Sequence, residues 1–158
     1  MPIYMKYTGI DGDVDAEGHE KWIECGSFQW GVGRGISSPT GASSDRESSA
    51  PSISEITVTK SQDVGTVKLL QEALQGEGVA VTIDFTKTDK GKLETYLQYT
   101  LTNTMISGYS LSSGGDRPQE SLSLNFTKVE CKLTSMTATN ADGSPENVTY
   151  DLSKAKIA

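Results

Sequence analysis

Val79-Ala-Val-Thr-Ile-Asp-Phe85 alternates apolar and polar side chains without a break, and Asp89-Lys90-Gly91 turns it back into Leu93, Leu97, Tyr99 and Leu101. A period of two puts every second side chain on one face of an extended strand, and a short turn containing glycine joins two such runs into a hairpin. The same pattern recurs outward from this hairpin. Ile3, Met5 and Tyr7 mark a strand near the start, and Ile53, Ile56 and Val58 mark one upstream of the hairpin. Downstream, Met105 to Leu111 reads as a further strand, followed by Leu122, Leu124 and Phe126 on one face, and a last hairpin runs from Asp142-Gly143-Ser144-Pro145 to Tyr150 and Leu152. Residues 21–32 alternate as well. This reading sets Trp22, Phe28 and Trp30 toward the core and Ser27 and Gln29 on the opposite face.

One segment carries the helical period instead. Val67, Leu70 and Leu74 form an i, i+3, i+7 stripe within about 63–75, with Asp63 as the expected N-cap and Gly76 as the expected C′ glycine. The stripe is expected to be core. About eight strands and one short amphipathic helix predict an all-β fold, a closed or nearly closed β-barrel with the helix over one opening. No internal repeat or boundary divides residues 1–158, so a single domain is expected. Serine and threonine total 36, with 16 glycines, a composition suited to short strands and tight turns.

Between Gly33 and Ser52 the alternation stops, and Ile36 is the one large apolar side chain in a Ser/Gly/Pro-rich stretch. A loop of that length in a small domain is generally functional or ordered by a partner. This one is expected to extend from the domain.

Several function classes are disfavoured. Fourteen basic against 21 acidic residues give a net charge of −7, the reverse of what phosphate backbones or anionic membranes attract. No apolar run is long enough to span a bilayer, and Met1-Pro2-Ile3-Tyr4-Met5-Lys6 lacks the h-region of a signal peptide. Synthesis in the cytoplasm is therefore expected, with any export by a route that uses no cleaved signal. Cys25 and Cys131 form no disulfide framework and are expected as small buried residues in strands. His19, the sole histidine, is expected to be a solvated turn residue, and no nucleophile has a recognisable base. Asp11-Gly-Asp-Val-Asp15 opens like a calcium loop, but Ala16 stands at its sixth position and Trp22 at its twelfth, where glycine and glutamate belong. Gly31-Val-Gly-Arg-Gly35 lacks the lysine and hydroxyl of a phosphate loop. Binding or assembly is expected, with no catalytic residue, metal or cofactor.

Three stretches carry a resemblance. Tyr4-Met-Lys-Tyr-Thr-Gly-Ile-Asp-Gly12, with Gly18-His-Glu-Lys-Trp-Ile-Glu-Cys-Gly-Ser-Phe-Gln-Trp-Gly31, resembles an opening strand, a G-H-x-x-W-I-E turn and an S-x-x-W-G strand end. Gln119-Glu-Ser-Leu-Ser-Leu-Asn-Phe-Thr-Lys-Val-Glu130 is similar to an E-x-x-S-L strand, and Asp142-Gly-Ser-Pro with Tyr150-Asp-Leu-Ser-Lys154 to a terminal hairpin and tail. In order and spacing the three resemble the haemolysin-coregulated protein (Hcp) family of type VI secretion. Cys131 departs from the pattern, since many members carry an aromatic there.

The resemblance implies a barrel that forms a homohexameric ring, with rings stacking into a tube inside a contractile sheath and a spike protein at the tip. It implies that the tube is expelled from a Gram-negative cell with small effector proteins protected in its lumen. On this reading Ser27 and Gln29 are candidates for cargo contact on the inner wall. Ile36, Ser38, Pro39, Asp45, Arg46 and Glu47 are candidates for ring stacking. A monomeric secreted binding module, lectin-like or calcium-dependent through Asp11 to Asp15, is the alternative. Which effectors are carried, and which species uses the tube, the sequence does not say.

Overall fold

A computed structural model of the chain describes residues 1–37, 47–136 and 142–158, excepting the side chains of 47, 48, 135, 136 and 142–144. Of the stacking candidates, Ser38, Pro39, Asp45 and Arg46 lie outside the described residues, and Glu47 is described in its backbone alone.

The hairpin that opens the sequence reading is the spine of the fold. Strand β9 (Val79–Asp89) pairs antiparallel with β10 (Lys92–Ser112), a strand of 21 residues. Strands twist along their length, and bulges bend them further. Here β10 changes register at Leu101/Thr104, where Asn103 takes a positive φ of 54°, and again at Ile106/Gly108. Its first half supports one sheet and its second half another. Met105 is consequently exposed while Ile106 is buried, so the alternation expected from Met105 through Leu111 does not hold.

A circuit of strands closes around the core. β9 pairs with β1 (Ile3–Tyr7), and β1 pairs with β2 (Ile23–Cys25). From the other half of β10 the path runs through β11 (Gln119–Asn125) and β8 (Ile56–Ser61) to β3 (Ser27–Gln29). Gly26 joins β2 to β3, and its N–H donates to Thr59 O at 2.7 Å, sealing the circuit. Met5, Ile23, Val58, Ile83, Leu101 and Leu124 are among the side chains buried inside it.

Crossing Gly26 changes the inward phase. Ile23 and Cys25 are buried and Glu24 is exposed, whereas after Gly26 the inward residues are Phe28 and Trp30. The single face expected for Trp22, Phe28 and Trp30 is thus wrong. Alternation holds while a strand stays in one sheet, and here the chain changes partner from β1 to β8. Trp22 lies outside, edge-on to His19 at 4.6 Å. Phe28 and Trp30 are half-buried and pack on Tyr99 at 4.9 and 5.5 Å.

Beyond the barrel, β10 carries a wing of β12 (Lys128–Met136), β13 (Asp142–Asp151) and β14 (Lys156–Ile157). Directly opposed residues share a face, so three rows cross it on one side. These are Leu97–Leu133–Glu146, Tyr99–Cys131–Val148 and Leu101–Val129–Tyr150–Ile157. Burial fades along these rows from Leu101 and Val129 in the core to Val148 and Ile157 in solvent. Cys131 is half-buried on this face, while Cys25 is fully buried as expected, which pushes its thiol up to about 12.

Helix α1 (Thr66–Gln75) lies where expected but is rolled differently. Leu69 is buried and Ala73 packs on the core, whereas Val67, Leu70 and Leu74 are exposed. The roll is set at the N-terminus. Gly65, whose Cα sits where a Cβ would come within 2.9 Å of Asp11 O, caps the helix, and Thr66 Oγ1 is bound to Glu120 at 3.0 Å. Asp63 is not the N-cap; it lies two residues earlier and accepts the Gly65 N–H at 2.9 Å. Gly76 has a φ of −69°, so it is no left-handed cap, and a side chain there would run into Glu72 O at 2.5 Å.

Candidate functional site

The outward face of β3–β8–β11–β10 is built almost entirely from short uncharged polar side chains. Register places Ser27 beside Thr59, Ser121 and Ser110 in one row, and Gln29 beside Thr57, Ser123 and Gly108 in the next. A third row holds Ser61, Gln119 and Ser112. Ser27 Oγ and Thr59 Oγ1 share a hydrogen bond, and Gln119 Nε2 donates to Ser61 Oγ at 2.9 Å. Lys60 and Glu120, the charged residues of β8 and β11, point the other way and are buried. Ionisable groups stand at the border, where Glu55 accepts from Ser107 and Arg117 Nε donates to Gln62 O. In a chain of net charge −7, alternation with buried residues has concentrated small neutral donors and acceptors on this wall.

Both sequence candidates for cargo contact fall on the wall, Ser27 and Gln29 being exposed in adjacent rows. Sequence reading missed the other rows. Their signal was present in Glu120-Ser-Leu-Ser-Leu-Asn125, where the serines alternate with leucines. Only pairing shows that three strands contribute the same chemistry side by side. Among the described residues, no strand pairs with the outer edge of β3, nor with the outer edge of β10 beyond Thr104.

Beneath the wall a buried ionic cluster ties α1 to the barrel. Lys60 Nζ donates to the Glu120 carboxylate and to Asp63 Oδ1 at 3.0 Å, and Glu120 also accepts from Thr66 Oγ1 and from Tyr109 OH at 2.6 Å. Burial, and donation of its hydroxyl to Glu120, push Tyr109 up to about 12. A second cluster corrects the expectation for His19. Rather than being solvated, His19 is buried between Tyr4 and Trp22, with Nε2 2.8 Å from Asp84 Oδ2. Asp84 accepts further from Gln98 Nε2 and Thr95 Oγ1. The imidazole therefore pins the 11–22 turn onto β9, an anchoring role. Asp13 pairs loosely with Arg117 at 3.8 Å, and among the described residues no three acidic, cysteine or histidine side chains converge as metal ligands.

The described residues after Gly33, on either side of 38–46, pair as a ribbon and are not an unpatterned loop. Strand β4 (Val32–Gly33) pairs with β7 (Ser52–Ile53), and farther out β5 (Ile36–Ser37) pairs with β6 (Glu47–Ser48). Two serine staples alternate with these pairs. Ser54 Oγ accepts the Gly31 N–H and donates to Gly31 O, and Ser49 Oγ does the same with Gly35. Trp30 Nε1 donates to Ser54 O at 3.1 Å, fixing the root. Backbone pairing gives this polar sequence a direction that composition could not reveal. Ile36 is exposed on the ribbon.

A β-barrel with a covering helix, a neutral wall and a paired ribbon defines a protein of mostly β class. Residues 4–133 match the family model described as type VI secretion system effector, Hcp, and the chain belongs to that family. A solved type six secretion system protein matches at 26% identity and a TM-score of 0.90, covering 99% of both chains. A type VI secretion system effector from Yersinia pestis matches at 19% identity and a TM-score of 0.75, over 94% of this chain and 98% of that one. An Hcp protein from Salmonella typhimurium matches at 19% identity and 0.74, over 99% and 98%. No curated protein matches.

Proposed function

We propose that residues 1–158 act as one unit, the ring-forming subunit of a type VI secretion tube, whose neutral wall lines a lumen that carries effector proteins. The observation that supports this most is the wall together with its two unpaired edges. An open sheet edge invites another strand. The β3 edge and the far β10 edge lie on opposite sides of the same four strands, so pairing between copies is head to tail. Such contacts form a ring where the rotation between copies closes, and the resemblance to Hcp proteins supports a ring of six. The closed wall then faces a shared interior.

A wall of hydroxyls and amides suits varied cargo. It offers hydrogen bonds in either direction, with no fixed charge to repel a partner of either sign. The stapled ribbon projects away from the barrel and carries Ile36 toward the next ring, where stacking would bury it. Sheath, spike and effectors are the partners of this reading, and it assigns no catalysis, cofactor or nucleic acid. Expulsion of the tube would carry the protein out of the cell. Native mass spectrometry tests the ring: six times 16.9 kDa, about 101 kDa, is expected, and a species at 16.9 kDa across micromolar concentrations would refute it.

A further inference from the structure

Among the described residues, two groups of apolar side chains stand exposed on regular elements of the fold. One is the ridge of α1, where Val67 is 74% exposed, Leu70 41% and Leu74 77%. The other is the outer part of the wing face, where Val148 is 52% and Ile157 69% exposed beside Leu133. They differ in shape: a convex helical ridge and a shallow sheet continuous with the core. A helix stripe laid on an apolar sheet face is a standard way to bury both.

Their positions relative to the unpaired edges decide what meets what. Helix α1 is bound through Thr66 and Glu120 to Tyr109, on the half of β10 that carries one free edge. The wing face reaches the other free edge, because its Tyr99 packs on Phe28 of β3 and on Trp30 just beyond. If β10 of one copy pairs with β3 of the next, the helix ridge of the first comes beside the wing face of the second. Charge agrees with this docking. Lys68 is exposed on the flank of the ridge, and Glu146 is exposed on the wing face directly across from Leu133.

We infer that the Val67–Leu70–Leu74 ridge of one subunit packs on the Leu133–Val148–Ile157 face of a second copy of this chain, an inference that rests on the ring reading above. The contact extends the core of one subunit with the helix of its neighbour. It also explains why the helix presents its strongest apolar stripe to solvent within a single chain.

Disulfide trapping tests the contact. Cys131 is first removed as Cys131→Ala, because it lies directly across from Val148 and would capture an introduced thiol within the chain. In that background Leu70→Cys and Val148→Cys are combined, and the purified rings are oxidised. A non-reducing gel should then show a ladder of covalent multimers, absent from each single variant. Rings of normal mass that give no ladder, or that cross-link through Val148→Cys alone, would overturn the helix–wing contact and leave the ring reading standing. A parent protein that never leaves the monomer would overturn both. A charge exchange gives a second reading: Lys68→Glu should weaken assembly several-fold, and Lys68→Glu with Glu146→Lys should restore it. Failure of that rescue counts against the contact.

Discussion

Removing the buried cation of the Lys60 cluster should show how the helix is held. The Lys60 side chain is wholly buried, as is that of Glu120, while Asp63 is 9% exposed. Lys60→Met keeps much of the side-chain volume but strands a buried carboxylate. Breaking a buried pair from one side typically costs about 3–5 kcal/mol. Glu120 retains Thr66 Oγ1 and Tyr109 OH as donors, which should offset roughly 1 kcal/mol, so a loss of about 2–4 kcal/mol is expected. Lys60→Met with Glu120→Gln removes both charges and leaves a neutral amide for the same donors. That double variant should lose only about 1–2 kcal/mol, less than the single. Urea unfolding of the parent, Lys60→Met, Glu120→Gln and the double variant at one fixed concentration measures the cycle, the concentration being held because assembly adds to apparent stability. A single variant within about 1 kcal/mol of the parent, or costs that simply add, would show that the cluster is not coupled as described.

Three further outcomes are expected. Gln29→Arg would set one cation per subunit on the neutral wall, so effector co-purification should fall while stability stays within about 0.5 kcal/mol; unchanged cargo would remove Gln29 from the contact zone. Replacing residues 38–50 by a short Gly-Ser linker should leave single rings intact and abolish end-to-end stacking in electron micrographs, whereas loss of the rings would place the ribbon in the lateral interface. At high pH, Tyr7, Tyr99 and Tyr109 each hold their protons to about 12, against an ordinary value of 10.0, first through desolvation and, for the partly buried Tyr99 and Tyr109, also through hydrogen bonding with Cys131 and Glu120. The unfolded chain releases these protons first, so the stabilisation is complete below pH 10 and is lost between about 10 and 12. For fully buried Tyr7 the slope is about 1.4 kcal/mol per pH unit, and tyrosinate absorbance that rises before unfolding would contradict it.

Much of the fold was legible because strands write a two-residue period into the chain. The hairpin from Val79 to Leu101 pairs as read, Leu122, Leu124 and Phe126 are buried together, and α1 starts and ends within three residues of its expected limits. Ser27 and Gln29 were legible as an outward pair because each flanks an inward aromatic. Their neighbours Thr57, Thr59, Ser121 and Ser123 were not, since membership of one wall depends on register between distant strands.

What the sequence determined by itself, then, is local: which segments extend, which one coils, and that short polar side chains alternate with leucine and valine. Sterics and alternate burial act over neighbouring residues and leave their record there. Tertiary structure decided the roll of α1, the phase change at Gly26 and the burial of His19. Each depends on a partner far away in the chain: Glu120 for the helix, Thr59 for Gly26, Asp84 for the imidazole. An apolar stripe such as Val67, Leu70 and Leu74 tells that some surface must be covered. Only the placed helix tells that, among the described residues, nothing covers that stripe.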